Sequence, residues 1–228
     1  MRAVVLLSGG LDSAVCAVLA TEEFGANVVA AVNIMFGQKH ARESAAAEAV
    51  AHELGMGEFK TLELPRDVFE GSGSSLTDSD VPVPEEPYPE TVGPVSTYVP
   101  FRNGALLSIA TAYALKVGAE AVYFGAHKED GLNWAYPDCT PEFLGAMKNA
   151  IWTGTYHKVR LVSPLEWLDK AGVVRLGAER GVPFQLTYSC YRGGEEACGR
   201  CATCRSRLAA FSANGLVDPI RYRAIEEV

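Results

Sequence analysis

The chain has 228 residues, 48% hydrophobic and 21% charged, which suits one large α/β domain, or one domain with a small appendage, and excludes a disordered chain. Twenty basic against 28 acidic residues leave a net charge of −8, so a broad nucleic-acid-binding surface is not expected. No window approaches the roughly 18 consecutive apolar residues of a membrane span, and the start runs straight into a Gly-rich turn with no small-residue cleavage site, which predicts no signal peptide and a cytoplasmic protein.

Residues 3–7 are a short apolar run that predicts a buried strand. A helix over 12–24 follows, with Val15, Val18 and Leu19 at helical spacing. Residues 28–34 predict a second strand, 41–54 an Ala-rich helix and 59–64 a third strand. Strands alternating with helices imply parallel βαβ units and a helix-covered sheet. Residues 65–100 break the rhythm, since seven of the twelve prolines lie there. Such a stretch is a functional loop, a lid or a flexible excursion. The alternation then resumes with helix 103–117, strand 121–125, helix 141–152, strand 159–162, helix 169–180 and a short helix over 204–213. The expected architecture is α/β, an open and mostly parallel sheet with helices on both faces over residues 1–185. A small Cys-rich segment over 186–228 completes it.

Ser8-Gly9-Gly10-Leu11-Asp12-Ser13 lies between the first strand and the first helix. Two glycines permit backbone geometries closed to other residues, so successive N–H groups can converge on an anion. The positive end of the helix points at the same spot. Ser8 and Ser13 can donate to phosphate oxygens, and Asp12 suggests a Mg²⁺ ligand, because alone it would repel phosphate. The competing reading is a tight turn with Asp12 or Ser13 as N-cap. The pattern is neither the Walker loop nor the dinucleotide G-x-G-x-x-G.

Cys190, Cys198, Cys201 and Cys204 crowd into fifteen residues. Two x2 spacings suit a tetrahedral Zn²⁺ site, and four thiolates leave no open position, so the site reads as structural. Arg192, Arg200, Arg205 and Arg207 stand where they can offset the thiolate charge. Core cysteines and an iron–sulfur cluster are the alternatives. Cys16, at an apolar helix position, reads as core.

Other polar islands follow strand ends, where open parallel sheets bind ligands. Phe36-Gly37-Gln38-Lys39-His40 is placed to line an adenine pocket, or is a simple turn. Arg102 can clamp a phosphate or carboxylate beside Asn103, or is a surface residue. Asp130, Tyr136 and Asp138 are candidate contacts to a substrate, or lie in a solvated loop. Lys170 can reach a polyphosphate, or is a solvated helix residue. Cys139 is the nearby thiol, and no residue reads as a covalent nucleophile.

The loop at 8–13 resembles the SGGxDS loop of the PP-loop (N-type) ATP pyrophosphatases. Joined to Phe36–His40, VPFRN at 99–103, YPDC at 136–139, Ser163-Pro164-Leu165 with Lys170, and Ser189-Cys190-Tyr191 followed by CGRCATCRSR at 198–207, it resembles the 7-cyano-7-deazaguanine synthase family over nearly the whole chain. Two features depart from that pattern: the stretch between Asp130 and Tyr136 is longer, and Lys39 stands where Arg is common. The resemblance implies an adenine nucleotide alpha hydrolase-like fold. It implies that ATP, ammonia and 7-carboxy-7-deazaguanine yield the nitrile by adenylation of the carboxylate and then of the amide.

It further implies ATP binding by Ser8, Gly9, Gly10, Leu11, Asp12, Ser13, Phe36 and Gln38, with Mg²⁺ accompanying ATP. Asp12, Ser13, Lys170 and Arg102 would act in catalysis, and Arg102, Asn103, Asp130, Tyr136 and Asp138 would bind the acceptor. Zinc would sit on Cys190, Cys198, Cys201 and Cys204, and relatives of this kind are often homodimers. Two other readings stand beside this one. A sibling enzyme would stop at the amide or use another amine, and a zinc-ribbon binding module would need no Gly-rich strand–helix loop.

Overall fold

The computed structural model describes residues 1–37, 42–85 and 92–223. Five parallel strands form one sheet: β1 (Ala3–Leu6), β2 (Val29–Met35), β3 (Glu58–Glu63), β4 (Ala121–Tyr123) and β5 (Arg160–Val162), in the order β3-β2-β1-β4-β5. The helices are α1 (Leu11–Phe24), α2 (Arg42–Glu53), α3 (Arg102–Val117), the single turn α4 (Lys128–Gly131), α5 (Pro141–Gly154), α6 (Lys170–Glu179) and α7 (Ala202–Ala213). None of these is long and apolar enough to cross a membrane.

Strand periodicity decides the layers. Successive side chains of a strand point to opposite faces, and here both faces are buried. Ala3, Val5, Val29 and Ala31 pack with Val15 of α1, Val173 and Val174 of α6, and Phe211 of α7. Val4, Leu6, Ala30 and Val32 pack with Leu107 and Ala110 of α3 and Ile151 of α5. The near-continuous apolar strands of the sequence are therefore strands covered on two sides.

Close packing sets limits of its own. A Cβ on Gly177 in α6 would lie 2.4 Å from Cζ of Phe184 and 3.0 Å from a methyl of Val15. Gly177→Ala is expected to lower stability by about 1–2 kcal/mol, the cost of overpacking less the helix propensity gained. Chemical denaturation checks this, and an unchanged midpoint would refute the tight contact.

Strand order reverses at β1, which has β2 on one side and β4 on the other. Crossovers leave in opposite directions there and open a crevice at the carboxyl ends of β1 and β4. A cleft of about 260 Å³ occupies that crevice. Segment 65–100 borders it where described. Asp78 binds the N–H groups of Gly71 and Gly73, the Ser75 N–H donates to the Ser96 carbonyl, and Leu76 lines the cleft. These contacts make its described part ordered structure built around the crevice.

Candidate active site

The cradle forms where β1 turns into α1. Gly9 has φ of +90°, and a Cβ there would fall 2.1 Å from the Glu43 carbonyl oxygen. Glycine therefore lets α2 press onto the turn. Gly10 is extended, with φ of −76°, so the second glycine is not needed for backbone freedom. It serves as N-cap, and Asp12 and Ser13 lie inside the first turn, which corrects the alternative of either one as cap. The Ser8 N–H donates to Ser13 Oγ at 3.2 Å, the Ser13 hydroxyl donates to the Gly10 carbonyl at 3.0 Å, and the Gly10 N–H donates to Ser8 Oγ at 3.2 Å. The first-turn N–H groups of α1 lack intrahelical acceptors. Gly125 packs on this turn, its missing Cβ only 3.1 Å from Ser13 N.

Lys170 begins α6 and reaches across the cleft to this turn. Its Nζ lies 2.7 Å from both carboxylate oxygens of Asp12 and 3.2 Å from His127 Nε2. Burial pushes the Asp12 carboxyl up, but the positive charge around it, that of the Lys170 ammonium foremost, outweighs burial and leaves it below its usual range. Burial holds the Asp130 carboxyl above its usual range, with the Asp12 charge adding to it against the pull of the Lys170 ammonium. Asp12, Asp130 and Lys170 thus share one wall of the cleft.

The opposite wall is built by α3 and the loop before α5. The Arg102 guanidinium lies over the Phe36 ring, 5.0 Å from its centroid, and its Nε has no acceptor. Asn103 is held by its neighbours: its backbone N–H donates to Asp138 Oδ2 at 2.9 Å, and its amide reaches Cys139 Sγ at 3.2 Å. Asp138 thus acts as a carboxylate cap on the first turn of α3, and it does not line the cleft. The Tyr136 hydroxyl bonds Thr97 Oγ1 at 2.5 Å and Tyr191 OH at 3.4 Å, linking the long loop to the Cys-rich segment. Gln38, Lys39 and His40 lie outside the described residues.

The Sγ atoms of Cys190, Cys198, Cys201 and Cys204 lie within 4.8 Å of one another and can hold one metal ion. Zn–S bonds of about 2.3 Å put tetrahedral sulfurs about 3.8 Å apart, and Cys198 and Cys204 are 3.9 Å apart. The N–H groups of Cys198, Arg200 and Cys201 donate to these sulfurs, as thiolate ligands require. Arg192 pairs with Glu85 at 2.7 Å, and Arg207 is bound to Asp218.

Several cleft residues had no role assigned from the sequence. Ser189 and Tyr191 flank Cys190 on the wall, joined by Thr203 and Ser206 of α7. The Cys-rich segment therefore walls the site as well as holding a metal. Glu43 faces the cleft from the first turn of α2, and burial pushes its carboxyl up to about 7, restrained by Arg102. Asn33 donates its amide to the Leu7 carbonyl at 2.9 Å. Periodicity hid these residues, because a single polar side chain carries no period and only tertiary packing shows that it faces the cleft.

Comparison with known proteins agrees with this geometry. The family model of the queuosine biosynthesis protein QueC matches residues 2–215. A 7-cyano-7-deazaguanine synthase of Koribacter versatilis (strain Ellin345) is 45% identical over 227 residues, covering 97% of this chain and 93% of its own. Another, from Oceanobacillus iheyensis, is 43% identical over 97% of this chain and 98% of its own. Among solved structures, the NMN synthetase of Francisella tularensis aligns with a TM-score of 0.50 over 95% of this chain and 78% of its own, at 16% identity, which is a likeness of fold.

Proposed function

Because the chain belongs to the family of the queuosine biosynthesis protein QueC, we propose that it is an ATP-dependent carbon–nitrogen ligase making 7-cyano-7-deazaguanine from 7-carboxy-7-deazaguanine and ammonia. The observation that carries this is the turn at 8–13 facing Lys170 at the switch point of a parallel sheet, in a chain with such relatives. A carboxylate resists ammonia because its leaving group is oxide. Attack of the carboxylate on the α-phosphorus of ATP expels diphosphate and creates an acyl adenylate. Ammonia then displaces AMP and gives the amide. The amide oxygen attacks a second ATP in the same way, and loss of AMP and two protons leaves the nitrile.

The protein's part is position and charge. Ser8, Gly9, Gly10, Leu11 and Ser13 hold the phosphates, with Phe36 beside the adenine. Lys170 and Arg102 neutralise charge that develops at the α-phosphorus. Asn103, Asp130 and Tyr136 meet the deazaguanine, while Asp138 acts by holding Asn103 in place. Asp12 has the chemistry to hold a Mg²⁺ that arrives with ATP, an ion that screens phosphate charge. The four cysteines hold a structural zinc, supported by their single-ion spacing. Metal analysis is expected to give about one zinc per chain, and iron with visible absorbance would overturn that assignment.

The test incubates the protein with ATP, Mg²⁺, ammonium and the acid, and follows AMP and the organic product by mass spectrometry. Nitrile with AMP is expected. Amide that never proceeds would show a sibling activity, and AMP formation indifferent to the acid would refute the reading. The binding-module alternative is not favoured, since its relatives of matching length are named as synthases.

A further inference from the structure

His127 has no role in the chemistry just described, yet it is 3% exposed and forms part of the cleft wall. Its backbone is fixed from three sides. Gly125 packs on the first turn of α1, the Lys128 N–H donates to the Leu168 carbonyl at 3.0 Å, and Glu129 Oε1 accepts from the Lys170 N–H at 3.1 Å. The end of β4 and the start of α6 are thereby locked together with the imidazole between them.

The hydrogen-bond inventory fixes what that imidazole does. An ammonium has three donors and no acceptor. Two of the Lys170 donors face the oxygens of Asp12 at 2.7 Å each, and His127 Nε2 lies 3.2 Å from Nζ. In a Lys170–His127 hydrogen bond Nε2 offers its lone pair, which places the ring hydrogen on Nδ1, an atom with no partner in its buried setting. Asp130 Oδ1 lies 3.3 Å from the same ring nitrogen.

We propose that His127 is a positioning residue for Lys170, holding one ammonium donor so that the side chain keeps its direction when a phosphate displaces Asp12 from the others. This rests on the reading that phosphates enter the turn at 8–13. An entering phosphate competes with Asp12 because both are anions. It does not compete with a neutral imidazole nitrogen for the remaining donor. Lysine is a point charge on a flexible four-carbon stem, so without that anchor it is free to follow Asp12 or the solvent.

The experiment measures AMP formation and acid-dependent exchange of labelled diphosphate into ATP for the full chain. The variants are His127→Leu, His127→Asn, Lys170→Ala and the His127→Leu/Lys170→Ala pair. His127→Leu is expected to lower kcat about 30-fold and leave KM for the acid within about twofold. His127→Asn, whose amide oxygen also accepts, is expected to restore the rate to within about threefold of wild type. On the Lys170→Ala background the leucine should cost less than about twofold, because there is nothing left to position. Should His127→Leu not fold, His127→Ala takes its place in the same cycle.

The proposal is overturned by a leucine variant as active as wild type. It is overturned equally by an undiminished effect on the Lys170→Ala background, which marks a merely structural role, or by a loss confined to KM. A wild-type protein without acid-dependent exchange refutes the functional reading itself and is seen before any variant is made.

Discussion

Gly9→Ala is expected to lower turnover to about 1% of wild type and to lower stability by about 2–5 kcal/mol, the sum of left-handed strain and overpacking. The new methyl group meets backbone, not a yielding side chain: Glu43 O at 2.1 Å and Ala47 N at 2.8 Å. Either α2 moves away or the turn moves toward the cleft, and both displace Ser8 and Ser13 from their shared network. The Gly9 carbonyl also accepts the Tyr188 N–H at 2.8 Å, so the shift reaches Ser189 and Tyr191 on the cleft wall. Gly55→Ala is the control. Gly55 has φ of +62° but nothing within 4 Å of its missing Cβ. It is expected to cost about 1 kcal/mol through strain alone and leave exchange unchanged. Equal activity losses in the two variants would show that the collision with α2 is irrelevant.

The contrast between these two glycines shows what a sequence reveals and what it hides. In the sequence Gly9 simply follows the first strand and Gly55 the helix over 41–54, but only the fold brings a helix against one of them. The five strands and six long helices were legible because apolar runs bounded by glycine are buried on both faces, and strand ends at an α/β crevice mark the site wherever they fall. Strand β4 is shorter than its apolar run suggests: the Phe124 N–H still donates to the Val162 carbonyl, but Gly125 packs on the first turn of α1. The four cysteines were legible from spacing alone. His127 and Glu43 were not, since a single polar residue at an element end carries no period. Arg207 was misread for a similar reason: charge near a thiolate cluster suggests a counterion, while burial against an acid eleven positions later leaves no trace in local pattern.

That arginine governs the second large effect. Arg207 and the Asp218 carboxylate are each only 1% exposed along their side chains. The guanidinium donates to both Asp218 oxygens, at 2.7 and 2.9 Å, to Thr187 Oγ1 at 2.7 Å and to the Phe184 carbonyl at 3.2 Å. Asp218 in turn accepts from the Tyr222 hydroxyl at 2.6 Å. One buried pair thus joins α7, the stretch before the cleft wall, and the tail whose residues 221 and 223 bond Ala197 beside Cys198. Arg207→Met keeps the volume but strands a buried carboxylate, so a loss of about 3–5 kcal/mol is expected. For a chain of this size that is about a 10 °C drop in Tm. Arg207→Met/Asp218→Leu removes both charges and should recover at least about half of the loss, since apolar replacement of a whole buried pair is often neutral. Calorimetry of the three proteins, each with its metal content measured, separates the outcomes. A single variant within about 1 kcal/mol of wild type would mean that water reaches Asp218 and solvates it. A double variant no better than the single would mean that the lost hydrogen bonds to Thr187 and Phe184, rather than the stranded Asp218 charge, account for the lost stability.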